Sequence, residues 1–559
     1  MFQKKGMFLT AILILVLSII TIACAAPTPA PTPAATPSPT PKPATPPAPT
    51  LATATSPTPK PATTSAPAPT TGPQTGGTLK IIVAPGVTNI GIPGVPQAAP
   101  DPRYLKCACD CLLNLDPKGT GLIVPELATG YKWSPDYKSV TLTLKQGVKF
   151  QDGTNFNAEA AKYNVDLHRL GWRAFLKSVS SVDIIDDYTI RLNVKYYDTG
   201  MLLGLCAPCG WMVSPTALKT MGDAAKYQPV GAGPFKFTSY KTDVSMKFDK
   251  WDGYSQKGKP YLDGIEFIFI KDPVTKMLSF KGGEAQILTG IGAKDAIELQ
   301  ATGKYNIVTY PDQIYGMAGD SAHPDSHFAD IKVRRALAYA IDNAAIAKAV
   351  GSGLYKGTNQ FAVPDSNMYN PAVAGYPYNP LKAKQLLIEA GYPNGFETTI
   401  TFDATVSDQR DMFNIVQSYL GEVGIKAKLD AADPARFTQL INKGWRDQLV
   451  FFRASSPKGG DPALYFRSNL TSTASNYDPK SILIPADYDA KFFQAAAEPD
   501  TAKCFQMFQQ LQKMITDDYC MVTPIMAHYS FNAEVPNAHL DISRYGMFEW
   551  LPSDAWLGK

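Results

Sequence analysis

The stretch from Phe328 to Phe396 constrains the fold more than any other, because its helix boundaries are set by local chemistry. It runs FADIKVRRALAYAIDNAAIAKAV, then a Gly-, Pro- and Asn-rich loop, then YNPLKAKQLLIEAGYPNGF. Asp330 and Asp342 stand where a side-chain oxygen can accept the unpaired N–H groups of a helix's first turn. Asn379 does so for a third helix, with Pro380 at its first position and Gly391 just past its end. Ala383, Leu386, Leu387, Ile388 and Ala390 give that short helix one buried flank. These signals predict helical hairpins within an α/β domain.

The N-terminus is organised differently. Lys4 and Lys5 precede an apolar run, Met7 to Ala23, that ends at Cys24. The run is of a length between a signal-peptide core and a membrane span. Thr21-Ile22-Ala23-Cys24 resembles a bacterial lipobox, with Thr21 replacing the usual Leu, so residues 1–24 read as a lipoprotein signal peptide ending at a lipidated Cys24. An uncleaved helical anchor is the alternative, and both place the folded part outside the cytoplasmic membrane. Residues 25–75 form a Pro/Ala/Thr tract in which Leu51 is the single large apolar side chain, too few to offset chain entropy by burial. Polyproline II at ~3.1 Å per residue would extend the roughly 45 residues from Pro27 to about Thr71 by on the order of 140 Å, the geometry of a stalk.

From Gly76 the pattern becomes that of a folded chain. LKIIVA reads as a first strand, and a helix is predicted from about Arg103 to Leu113. Val140, Leu142 and Leu144 alternate as a half-buried strand does, and Asn157 caps a helix with Glu159 in its first turn. Further strands follow near 181–185, 188–194, 235–240, 244–248 and 265–270, then a helix near 408–423 ending at Gly424 and another beginning at Asp500. A chain of 559 residues, 45% of them hydrophobic, suffices for several cores. Its net charge of +4 is small and scattered, giving no reason to expect nucleic acid.

The wording of Phe328 to Asp342 and Tyr378 to Tyr392 closely resembles the solute-binding proteins of peptide- and nickel-type ABC importers, the large three-domain class. Gly121 to Ala128, the GVKFQDG phrase after Gln146, Gly231-Ala232-Gly233-Pro234-Phe235 and Gly283-Glu284-Ala285-Gln286 are similar to other segments of that family. The resemblance implies an α/β fold of the periplasmic-binding-protein type II kind, with two lobes, an extra domain, and mixed sheets flanked by helices. It suggests lobe 1 in 76–122, 229–318 and 526–559, an extra domain in 123–228, and lobe 2 in 319–525. It also implies capture of a peptide or similar small organic solute between the lobes, delivery to a membrane permease, no catalysis, no cofactor and a monomeric state. The family's ligand segments point here to Arg103 and Tyr104, to Trp172, and to Arg453, Lys458 and Asp461. Ser455 stands where the family has Trp, and no clear counterpart exists for the acid that pairs with a peptide's amino group. Arg453 and Lys458 favour an anionic group on the solute instead.

Signatures of enzymes are missing: no phosphate loop, GxSxG elbow, HExxH or kinase triad occurs. Asp320, His323, Asp325 and His327 could bind a metal through nitrogen and oxygen, although a solvated loop is the simpler reading. His168 reads as part of an exposed helix face. Cys107, Cys109 and Cys111 fall within the predicted helix, and Cys206 and Cys209 form a CxxC. A metal- or redox-active exported protein built on these thiols is therefore a rival reading, as is a receptor of the same fold that is not coupled to transport. Cys504 and Cys520 could pair with each other.

Overall fold

The computed structural model describes residues 72–96, 101–116, 122–171, 174–206, 209–363, 366, 368–455, 462–540 and 550–559. Cys24 and the segment 25–71 lie outside them. The fold is built on one mixed sheet of eleven strands. Two long strands, Asn306–Gly319 and Thr523–Glu534, pair antiparallel at its middle. At ~3.3 Å per residue each is on the order of 40 Å long, enough to take part in both halves of the sheet. On one side of them lie Leu449–Ser455, Phe396–Asp403 and Ile425–Ala432; on the other lie Ile287–Ile291, Thr78–Val83, Gly264–Phe269, Ser245–Lys250 and Phe235–Lys241. Phe396–Asp403 and Ile425–Ala432 are parallel and joined through the helix Ser407–Glu422, as a parallel connection requires. A separate antiparallel sheet of four strands runs from Ala128 to Val194 and holds its own core around Phe150, Leu142 and Leu192.

The predicted helix caps form as local hydrogen bonds. The carboxylates of Asp330 and Asp342 accept the N–H groups of Lys332 and Ala345, and the Asn379 side chain accepts that of Lys382. Asn157 and Asp500 cap their helices in the same way. The Arg334 guanidinium, inside the Phe328–Asp342 phrase, is buried and donates to the carbonyls of Phe328, Ala329, Tyr519 and Cys520 at 2.8–2.9 Å. This arginine of the family phrase is therefore a tie between two segments that are far apart in sequence.

Four sequence-based expectations are corrected. The first helix is Asp101–Ala108, which leaves Cys109 and Cys111 outside it. It stops where Gln151 takes the Ala108 carbonyl and the chain turns into a bridge between Cys111 and Trp211. Gly233 packs so closely here that a Cβ would sit 2.6 Å from the Ala108 carbonyl carbon, so a side chain at position 233 would press on the helix end. Ile388 is exposed rather than buried, because the buried stripe of its helix is Ala383, Leu386 and Leu387. His168 is buried, since it continues the inward face of Ala161, Asn164 and Val165 at helical spacing. Cys504 and Cys520 are not joined: Cys504 donates to the Ala495 carbonyl, and Cys520 lies beside Arg334 and Tyr376.

Among the described residues, no helix is long and apolar enough to cross a membrane.

Candidate functional site

The two long strands that link the halves of the sheet carry a polar face. A bulge between Pro311 and Gln313 shifts their register, so that Tyr310, Gln313 and Tyr315 stand opposite Ser530, His528 and Met526. Residues 530, 528 and 526 alternate by two and share a face, and the bulge brings Tyr310 and Tyr315 onto it. The His528 ring stacks on Tyr315 with centroids 4.6 Å apart and planes at 11°. Its Nε2 lies 3.5 Å from Asp408 Oδ2 and its Nδ1 lies 3.5 Å from Asp312 Oδ2. Tyr355 donates its hydroxyl to Asp408 at 2.6 Å, and Ser530 donates to Asp312 at 3.1 Å. At 3.5 Å the Nδ1 contact with Asp312 is an attraction between charges more than a hydrogen bond. Burial disfavours a charged imidazole, yet the two carboxylates outweigh it and raise the His528 pKa. Burial pushes the Asp408 carboxyl up, but the nearby His528 ring and the Tyr355 hydroxyl prevail and hold it below its ordinary value.

Arg103 approaches the same strands from the other half of the sheet. It sits in the first turn of the Asp101–Ala108 helix, with its Cζ 5.9 Å from the Tyr104 ring centroid. Burial lowers its pKa, opposed by the nearby Tyr104, Tyr310 and Asp101. The Asp101 carboxylate is already engaged by the N–H groups of Thr88 and Asn89 and by the Thr88 hydroxyl. Among the described residues Arg103 forms no ion pair, Asp101 being its acidic neighbour, and its buried Nε has no hydrogen-bond partner. Burial, and then the charge of Arg103, lower the pKa of Lys276, whose Nζ donates to the Thr289 carbonyl. A desolvated guanidinium with a lysine nearby and no acid of its own attracts an anion.

The remaining sequence-based candidates fall in three groups. Tyr104 is fully buried, edge-on to Phe267 at 4.8 Å, and burial pushes its phenol up to about 12. It belongs to the lobe core under Arg103 rather than to an open surface. Arg453 is exposed on the strand Leu449–Ser455, opposite Tyr315, and its backbone N–H donates to the Tyr477 hydroxyl at 3.0 Å. Trp172, Lys458 and Asp461 lie outside the described residues. Asp312, Tyr355, Asp408 and His528 escaped the sequence reading. Nothing local marks them, since they converge from four separate segments.

Of the residues considered for metal binding, His323 and Asp320 pair with each other, and the other two turn to partners outside the set. His323 pairs with Asp320 at 2.6 Å, whereas His327 turns to Asp447 at 2.8 Å and stacks on Phe396 at 4.3 Å. Asp325 faces Arg446 at 3.5 Å. The cysteines outside the N-terminus are all buried, and burial pushes the thiols of Cys107, Cys109 and Cys111 well above their usual range, which works against a reactive thiolate. A cavity of about 170 Å³ lies apart from the long strands, among Lys106, Asp110, Glu126, Lys145, Tyr254 and Asp554. Lysines already face its buried acids, and neither Arg103 nor His528 lines it.

Comparison with known proteins bears on this arrangement. The model of the bacterial extracellular solute-binding proteins, family 5 Middle, matches residues 123–477. The glutathione-binding protein GsiB of Salmonella typhi is 33% identical over 345 residues, which cover 60% of this chain and 67% of that protein. The periplasmic binding protein DppA of Helicobacter pylori, solved with the peptide STSA, superposes with a TM-score of 0.74 at 21% identity, covering 87% of this chain and 99% of DppA. NikA of Brucella suis, solved with Fe(III)-EDTA, gives 0.71 at 22% identity, covering 84% of this chain and 99% of NikA. At these identities the two structures establish the shared type II binding-protein fold. Taken with the continuous sheet and its linking strands, the match over most of the folded chain shows that the protein belongs to the bacterial extracellular solute-binding proteins of family 5, which capture solutes for ABC importers.

Proposed function

We propose that this solute-binding protein captures a short peptide or peptide-like organic anion, with a carboxylate of the solute received by Arg103. The observation that carries this reading is the half-buried Arg103 guanidinium beside Tyr310 of the linking strands, whose buried Nε has no hydrogen-bond partner. A cation partly withdrawn from water without a counter-ion is costly, and a solute carboxylate reduces that cost on binding. Arg453 on the far flank of Tyr315 provides a second positive group, and Trp172, Lys458 and Asp461 complete the proposed set. The Asp312–His528–Asp408 group offers carboxylates to an ammonium at the other end of a zwitterionic solute. The glutathione named for the Salmonella typhi relative and the peptide held by DppA are both of this kind.

The lobe and extra-domain boundaries suggested by the resemblance, a lipid anchor at Cys24 and a stalk over 25–75 belong to the same proposal, which places a monomeric receptor without catalytic activity at the outer face of the membrane. Calorimetric titration of the purified chain with glutathione and a tetrapeptide tests it. Arg103→Met should weaken binding about 30-fold or more, from the roughly 2–5 kcal/mol attached to removing one partner of a buried charge pair. Binding left unchanged by Arg103→Met, or restricted to solutes without a carboxylate, refutes it.

A further inference from the structure

Asp198 follows the last strand of the four-stranded sheet and caps the short helix Thr199–Gly204, its Oδ1 accepting the Gly200 N–H at 3.0 Å. Its other oxygen, Oδ2, accepts from Nη1 of Arg467 at 2.6 Å, across 269 positions of sequence. The carboxylate side chain is 2% exposed and the arginine side chain 17%. Arg467 lies on the helix Pro462–Asn469, with its Cζ 5.8 Å from the Phe492 ring centroid.

The two partners stand on different cores. Met201 and Leu202 pack into the core of the four-stranded sheet with Phe175 and Leu205. Ala463, Phe466 and Leu470 pack into another core with Phe492 and Phe508, on the strand Leu449–Ser455 and its surroundings. Among the described residues this is the ion pair that joins those two cores. Two bodies with separate cores can part without breaking either core, and only the contacts between them oppose the motion.

We infer that Asp198 and Arg467 form a latch that holds the four-stranded-sheet domain against the second lobe and so sets how tightly any solute is held. Parting returns both groups to water, and contact joins a carboxylate that is already fixed by its capping bond to a guanidinium fixed over an aromatic ring. The oriented pair favours the apposed state, and apparent affinity scales with the fraction of molecules in that state. The inference rests on capture between lobes and not on which solute is bound.

Hydrogen exchange on the full chain, without added solute, tests the latch separately from solute identity. Asp198→Asn keeps a capping oxygen but loses the charge, and Arg467→Gln removes the partner. Each is expected to raise exchange about tenfold in both the 199–204 and 462–469 segments, with the double variant no faster than either single one, as expected of two residues acting as one unit. The helix Ser407–Glu422 should keep its protection, which shows that the variants are folded. Arg467→Lys, which retains the charge, should recover part of the protection. Exchange that rises only in the mutated residue's own helix, single effects that add in the double variant, or a lysine variant no better than glutamine would each overturn the latch.

Discussion

Arg334 is a buried guanidinium and Arg103 a half-buried one, and they have opposite surroundings. Arg334 is saturated by the carbonyls of Phe328, Ala329, Tyr519 and Cys520. Arg103 meets two tyrosines and an aspartate whose oxygens are already engaged. Burial alone therefore does not distinguish a structural charge from a functional one. The distinction lies in whether the protein itself supplies the partners, because a charge left unsatisfied by its own chain is available to a ligand. His528 stands between these cases, with its charge supported by two carboxylates that also line the linking strands.

The largest effect expected from this contrast is at Arg334. Arg334→Met should destabilise the fold by on the order of 4 kcal/mol, because it strands four buried carbonyls that accept from a charged donor. A urea midpoint close to wild type would show that the carbonyls find other donors. Gly233→Ala should cost about 2 kcal/mol, since the added methyl meets the Ala108 backbone, which has no side-chain freedom to yield. The same measurement checks it, and a neutral result would mean that the end of the Asp101–Ala108 helix can shift. Arg103→Met should act in the opposite direction, raising stability by about 1 kcal/mol while weakening binding, because it removes a half-buried charge that has no acidic partner. A loss of stability at Arg103 would erase the contrast with Arg334.

The smallest expected effect depends on pH. His528 has a raised folded-state pKa, so its contribution is fully present below the ordinary value of about 6.5 and is lost as pH rises through the folded value. Asp408 has a lowered one, so its contribution is present above about 3.9 and is lost as pH falls through its folded value. Melting temperatures of wild type and His528→Asn should therefore differ most near pH 6 and converge toward pH 9. A gap that widens with pH would mean that the imidazole is neutral in the folded protein.

Much of the second lobe could be read directly. Asp330, Asp342, Asn379 and Asp500 each bond to a backbone N–H two or three residues away, so the whole interaction is contained in a short piece of chain. Gly233 was visible as a phrase, but its contact with Ala108 crosses more than a hundred residues and has no local sign. His168 reads as exposed because it is polar, and only the packed structure shows that it lies on the inward flank of its helix. Asp312, Asp408 and His528 are ordinary polar residues until a strand bulge and a helix start bring them to one place.

The order of residues by itself determined where the capped helices begin, the mixed α/β character and the family, because caps, periodicity and motif wording act over a few turns. The tertiary structure decided which charges are satisfied: it tied Arg334 to four carbonyls, joined Asp198 to Arg467 and left Arg103 without an acid. The reason is that desolvation and pairing depend on groups brought together from distant segments, and their energy is absent until the cores are packed.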